Sequence, residues 1–326
     1  MKKGCFYPLY FLIFIIIGCN NTTPYTAPVE LTDRHVHFLS PQLIEMWKNM
    51  GIPFSKSDEK YNNIDTIINT LGTKNITLVS MSYVFSSAEF SSDTSNVYAL
   101  MQNENNYLSA LKQKHPSTIK AYYGIDPLHE LTLNEVKRCH QELKLDGIKL
   151  HFNASQVYLT EPEHLNKVRE VFAYAAQNNI PVLLHFDNSH PKFGARDVQI
   201  LADSVLSNLP FVELQIAHFG TSGGFNTKTK DVMNAFVTLF NNNHRIAKQQ
   251  ITFDISAVCL TKDSEGISKL TPTEIAELSE LCRKIGFDKI VFGTDYPLYN
   301  AEEYLTVLKT NLKLTEQELQ QLLKNG

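Results

Sequence analysis

Cysteine is scarce in this chain and is not spaced for a framework. The 326 residues include five cysteines, and two of them, Cys5 and Cys19, fall in the first twenty positions. Cys139, Cys259 and Cys282 remain, far apart and with no CxxC, which excludes a disulfide scaffold and predicts three buried small hydrophobes. Positive charge is not in excess either. Thirty Lys+Arg face 34 Asp+Glu, for a formal net charge of -4, so the chain lacks the basic footprint of a nucleic-acid binder. No Pro/Gly/Ser-rich linker, internal repeat or low-complexity tract divides it. The length suits one α/β barrel. A comfortable membrane-spanning run is also missing. The apolar stretch at residues 6–17 is interrupted by Tyr7, Pro8 and Tyr10 and is short for a bilayer-crossing helix.

That stretch has the form of a signal-peptide core instead. Lys2 and Lys3 precede it, and it ends in Ile16-Ile17-Gly18-Cys19 followed by the polar Asn20-Asn21-Thr22-Thr23. The ending resembles a bacterial lipobox, in which a lipid-modified cysteine becomes the new N-terminus; here that residue is Cys19. The expected organisation is a signal peptide at 1–18, a short tether at 19–28 and one domain at 29–326. The expected location is an exported lipoprotein held on a bacterial membrane, facing the periplasm or the cell surface.

From residue 29 onward, short β-rich apolar runs alternate with longer helical patterns. Strands are predicted at 29–31, 76–80, 119–123, 147–150, 182–185, 214–218, 251–255 and 290–293. Several are nearly continuous apolar runs, as expected for strands buried on both faces of a parallel sheet. Between residues 163 and 178, Leu165, Val168, Val171, Phe172 and Ala175 recur at helical spacing. Thr271-Pro272-Thr273-Glu274 reads as a capping box with proline at the first helical position, and Thr315-Glu316-Gln317-Glu318 repeats the box. Eight such units predict a single (β/α)8 TIM barrel. The rival doubly wound sheet calls for a glycine-rich phosphate loop after the first strand. This chain has Asp33-Arg34-His35-Val36-His37 there, which points to metal.

Residues two apart in extended chain face the same side, so His35 and His37 can both point into a barrel mouth. His185 stands at the end of the fifth apolar run, His218 at the end of the sixth, and Asp295 just after the eighth. Strand C-termini converge on one rim in this fold. Histidine nitrogens and a carboxylate oxygen are donors that Zn²⁺ accepts, with an open position left for water.

The motifs Asp33-x-His35-x-His37, Gly147-Ile148-Lys149-Leu150-His151, the His185 strand end, Ala217-His218-Phe219-Gly220 and Gly293-Thr294-Asp295-Tyr296-Pro297 occur in this order over nearly all of the mature chain. In this the chain resembles the amidohydrolase superfamily, and more narrowly the amidohydrolase-related group of metal-dependent hydrolases and decarboxylases. The resemblance implies that His35, His37, His185 and Asp295 are metal ligands, and that His218 polarises or deprotonates the reacting water or substrate. It leaves Lys149 open. Carboxylated, Lys149 would bridge two metals; unmodified, beside a single metal, it would pair with a substrate anion or neutralise a nearby aspartate. His151 shares its face. One divalent ion, Zn²⁺ by its donors, is the favoured reading, with Asp295 also passing a proton to the leaving group. The expected activity is hydrolysis of an ester, amide or lactone bond of a small molecule by a metal-activated water. Decarboxylation of a small carboxylic acid is the alternative, and a non-catalytic binding lipoprotein ranks last. Tyr83, Asp126, Asp187, Asn188 and His190 fall in rim loops, where turn chemistry is the simpler reading.

Overall fold

In the computed structural model, residues 31–325 are described, apart from 53, 55–57, 74, 88–90, 92–95 and 265–266. The expected signal peptide and tether, with Cys19, fall outside the described residues. Eight parallel strands follow one another around the sheet in chain order: β1 (Thr32–His37), β2 (Asn75–Val79), β3 (Ile119–Gly124), β4 (Gly147–His151), β5 (Val182–His185), β6 (Glu213–Ile216), β7 (Gln250–Asp254) and β8 (Ile290–Val291). The ring closes between the ends. The Arg34 N–H donates to the Phe292 carbonyl at 3.0 Å, the His37 N–H to the Tyr296 carbonyl at 3.2 Å, and Val36 pairs with Tyr296 in parallel register. The fold is a single (β/α)8 TIM barrel, as the alternating pattern predicts.

The helices form because their sequences carry start signals and one apolar stripe. Thr271 Oγ1 accepts the Glu274 N–H at 3.3 Å and Glu274 Oε2 accepts the Thr271 N–H at 2.8 Å, closing the box that opens Pro272–Ile285. Thr315 and Glu318 do the same for Glu316–Lys324. Pro162–Gln177 buries Val168, Val171, Phe172, Ala175 and Ala176. These stripes pack on outward residues of the sheet such as Ile148, Leu150, Val182 and Leu184, so both sheet faces are covered. Val79, Tyr122, Leu183 and Ala217 form a separate small apolar cluster. Gly147 makes room for the Tyr122 ring, because a Cβ there would lie 2.6 Å from it.

Five strands match the sequence reading to within one residue at each end, and β1, β6 and β8 differ by more, each for a local reason. β1 begins at Thr32, so the Asp33–His37 motif forms the strand instead of following it. Its pairing with β2 slips between Asp33 and Val36, where Arg34 and His35 stand against Thr77 alone. Such a bulge bends the strand and re-aims its side chains. Asp33 Oδ1 takes up the His35 N–H at 3.1 Å. β6 stops at Ile216, because His218 and Phe219 adopt left-handed backbone with φ of 51°. β8 is two residues long, its continuation being diverted toward Asp33: the Thr294 N–H donates to Oδ1 at 3.0 Å and the Thr294 hydroxyl to Oδ2 at 2.6 Å.

Candidate metal centre

The C-terminal ends of β1, β4 and β5, with the loops after β6 and β8, bring together His35, His37, Lys149, His151, His185, His218 and Asp295, and β7 adds Asp254. His35, Lys149, His218 and Asp295 are buried, and so are His37, His151 and His185. Their rings form a continuous wall. Centroids lie 4.8 Å apart for His35–His37, 4.9 Å for His35–His218, 5.4 Å for His218–His185 and 3.8 Å for His185–His151. The last pair stacks because His151 and His185 are direct partners across β4 and β5. Tyr83 extends the wall at 4.8 Å from His151.

Among the described residues, two groups place one donor atom from each residue within 4.8 Å of one another: His35, His37 and Asp295, and His35, His218 and Asp254. They differ in how their atoms are used. In the first, His37 Nε2 is 3.2 Å and His35 Nε2 3.8 Å from Asp295 Oδ1. Apart from that close approach of His37, neither oxygen of the buried Asp295 meets a hydrogen-bonding group among the described residues, and His37 Nδ1 meets none there. Buried polar atoms normally find partners, and an orphaned carboxylate facing imidazoles is what a cation would satisfy. Burial alone would raise the Asp295 pKa, but His218, His37 and His35 outweigh it and hold the carboxyl well below its usual range. Burial pushes the pKa of His35 down to about 3, with Lys149 adding to the effect, and burial lowers that of His37. Two neutral imidazoles and one carboxylate therefore stand together, the protonation states that ligation requires.

The second group is internally satisfied. Asp254 Oδ2 accepts from His35 Nδ1 at 2.8 Å and from Gln215 Nε2 at 3.0 Å. Its Oδ1 accepts the Ser256 N–H at 3.0 Å and the Ser256 hydroxyl. The first group is accordingly the candidate site for a divalent metal, and the second braces it. Asp254 went unnoticed in the sequence. The signal was present, since Asp254 ends an apolar strand just as His185 does.

The other expected residues fall as follows. His185 is in neither donor group among the described residues; its Nε2 lies 3.2 Å from the Ser222 hydroxyl. Lys149 Nζ is 3.2 Å from His35 Nε2, and burial lowers the lysine pKa to about 8 against the opposing pull of Asp254 and Asp295. His151 Nδ1 accepts the Ala154 N–H at 3.2 Å. His218 Nδ1 lies 2.9 Å from the Ser256 carbonyl, which only an N–H at that position can satisfy, so the lone pair is on Nε2. Asp295 has φ of 54°, so two expected site residues, His218 and Asp295, occupy left-handed backbone of the strained kind found at functional sites. Gly293 admits the cluster, since a Cβ there would sit 3.0 Å from His35 Cβ and 3.3 Å from Ser256 Cβ. In the rim loops the turn reading holds. Asp126 Oδ1 accepts the Leu128 N–H at 2.9 Å, Asp187 Oδ1 the Ser189 N–H at 2.8 Å, and Asn188 Oδ1 the His190 N–H at 3.0 Å. Tyr296 is a packed aromatic whose hydroxyl donates to the Lys60 carbonyl at 2.9 Å.

The family model described as Amidohydrolase matches residues 86–325. No curated protein matches the sequence. Among solved structures, the chain is similar to a probable 2-pyrone-4,6-dicarboxylic acid hydrolase from Acinetobacter baumannii with citric acid bound, at 19% identity and a TM-score of 0.55, over 90% of this chain and 96% of that one. It is similar to a dihydroxybenzoic acid decarboxylase from Polaromonas sp. JS666 with bound manganese and the inhibitor 2-nitroresorcinol, at 15% identity and a TM-score of 0.59, over 90% and 94%. A third is the 5-carboxyvanillate decarboxylase from Novosphingobium aromaticivorans complexed with manganese and 4-hydroxy-3-methoxy-5-nitrobenzoic acid, at 14% identity and a TM-score of 0.60, over 90% and 93%. At these identities the likeness to solved structures speaks for the barrel.

Proposed function

The chain belongs to the amidohydrolase family, and from that premise we propose that it is a metal-dependent hydrolase cleaving an ester, amide or lactone bond of a small molecule. The observation that carries the reading is the buried Asp295 carboxylate, which among the described residues faces only the His35 and His37 imidazoles and makes no hydrogen bond elsewhere. We assign these three residues as ligands, with His185 the fourth, for a single divalent ion; the nitrogen-rich donors favour Zn²⁺. When bound, such an ion supplies Lewis acidity, lowering the pKa of a water and polarising a carbonyl. The protein's own groups do the rest. His218, with Nδ1 engaged by the Ser256 carbonyl, presents Nε2 as the proton acceptor. Asp295 passes the proton on to the leaving group. Lys149 stays unmodified and supplies a cation for an anionic group of the substrate, with the packed Tyr83 and His151 rings to one side of the donor group.

The buried Lys149 ammonium gives the decarboxylase reading its one specific support, since it would suit a substrate carboxylate. Metal-loaded protein should therefore be assayed on ester, lactone and amide panels and on aromatic carboxylic acids, with CO₂ release followed in parallel. Hydrolysis without CO₂ supports the main reading, and CO₂ release replaces it with the second. His35→Ala should lose both metal and turnover. His218→Ala should keep the metal and lose turnover by about 10²–10⁴-fold, the usual worth of a general base. Full activity in either variant overturns these roles, and two metal equivalents per chain overturn the single-ion assignment. The leader adds the further proposal that the mature chain is exported and lipid-anchored through Cys19.

A further inference from the structure

We propose that Asp254 is a positioning residue that fixes the ring tautomer and orientation of His35, and through Ser256 the placement of His218, so that one carboxylate on β7 aligns both the metal-binding and the proton-accepting arm of the site. The inference rests on the reading of His35 as a metal ligand and His218 as the base.

The geometry is specific. His35 uses its two ring nitrogens in opposite directions, Nδ1 to Asp254 Oδ2 at 2.8 Å and Nε2 to Lys149 Nζ at 3.2 Å, with Asp295 Oδ1 3.8 Å from the same Nε2. A carboxylate only accepts, so Nδ1 carries the proton and the Nε2 lone pair is directed at the donor group. Asp254 cannot rotate away. Gln215 Nε2 holds the same oxygen at 3.0 Å and is itself anchored on the Arg34 carbonyl at 3.2 Å. The other oxygen is held by the Ser256 N–H at 3.0 Å and the Ser256 hydroxyl, and reaches the His218 N–H at 3.4 Å. Ser256 Oγ lies 3.0 Å from His218 Nδ1 and 3.3 Å from His35 Nδ1, so it touches both rings that Asp254 serves. Asp254, Ser256 and His35 are all fully buried, which keeps water from substituting for any of these bonds. A carboxylate backing a ligating imidazole raises its basicity, and loss of such a partner typically weakens metal binding by about 10–100-fold.

The test begins with wild type. In metal-free protein uniformly labelled with ¹⁵N-histidine, the His35 ring, identified by its disappearance in His35→Asn, should show the Nδ1–H pattern; an Nε2–H pattern overturns the proposal without any need for a variant. Asp254→Asn should then bind Mn²⁺ about 10–100-fold more weakly in equilibrium dialysis and lose the pure Nδ1–H pattern, with Tm within a few degrees of wild type. Ser256→Ala, which leaves the Asp254–His35 bond in place, should stay within about threefold of wild-type Mn²⁺ affinity while kcat falls and KM holds. Wild-type affinity in Asp254→Asn, or an equal loss in Ser256→Ala, counts against the proposal. Failure of the underlying metal-site reading looks different: His35→Ala would then bind Mn²⁺ as wild type does.

Discussion

Glu104 shows how a single buried carboxyl bears on stability away from the site. It lies in the helix Val97–Lys114, is fully buried, accepts the Ser40 N–H through Oε1 at 3.1 Å and has no partner for Oε2 among the described residues. Burial raises its pKa from 4.5 to about 7, partly offset by the Ser40 bonds. The sign follows from proton counting. Between these two values the folded chain holds a proton that the unfolded chain has released, so stability falls as pH rises through that window and levels off above it. Glu104→Gln keeps an acceptor for Ser40 and removes the buried charge. It should stabilise the protein at pH 8 by on the order of 1–3 kcal/mol relative to its effect at pH 4.5. Urea melts of both proteins at the two pH values check this. An offset independent of pH would show that the carboxyl is not held protonated. The site residues illustrate the opposite balance: Asp295 and Asp254 are equally buried, yet the imidazoles facing them keep both carboxyls low.

At the scale of elements, the segment after β7 is held by a helix from the far end of the chain. The Tyr304 hydroxyl, on Ala301–Asn311, donates to the Ile255 carbonyl and accepts the Val258 N–H at 3.3 Å and the Cys259 N–H at 3.2 Å. Ile255 lies between Asp254 and Ser256, so this one phenol fixes the backbone that carries the brace on His35. Tyr304→Phe would strip the Cys259 N–H of its bond, while the Val258 N–H and the Ile255 carbonyl keep only their bond to each other at 3.2 Å. A loss of roughly 1–3 kcal/mol is expected, read as a Tm lower by several degrees with the ring packing retained. An unchanged Tm would mean that the loop is held by its apolar contacts alone. Helix starts were readable because capping is local: Thr271 with Glu274 and Thr315 with Glu318 need no information beyond four consecutive residues. Strand ends were less readable, since the stops at Ile216 and Val291 come from left-handed backbone at His218 and from the pull of Asp33 on Thr294.

For the whole molecule, closing the sheet makes a rim from residues up to 260 positions apart. Among the described residues no helix is long and apolar enough to cross a membrane. Membrane attachment, as proposed, would come from lipid at Cys19. Cys19→Ser should abolish incorporation of labelled palmitate and move the protein from the membrane fraction to the soluble one. A membrane-bound Cys19→Ser protein would defeat the anchor proposal while leaving the barrel chemistry intact. The three cysteines of the barrel are free and buried, consistent with their role as small hydrophobes.

The sequence by itself determined the barrel and most of its rim, because both follow from short-range patterns: apolar runs alternating with amphipathic helices, and polar residues where those runs stop. His35, His37, His185, His218 and Asp295 could be picked out in that way, and the structure brings all five to one mouth. Only the tertiary structure decided how they are used. Asp254 was overlooked because a lone aspartate at a strand end reads as turn chemistry until closure carries His35 within 2.8 Å of it. His185, proposed as the fourth ligand, takes its stacking partner His151 from β4 and its contact with Ser222 from the loop after β6. Which imidazole nitrogen points where depends on partners contributed by other strands. A one-dimensional pattern can place a side chain on a rim but cannot orient its ring.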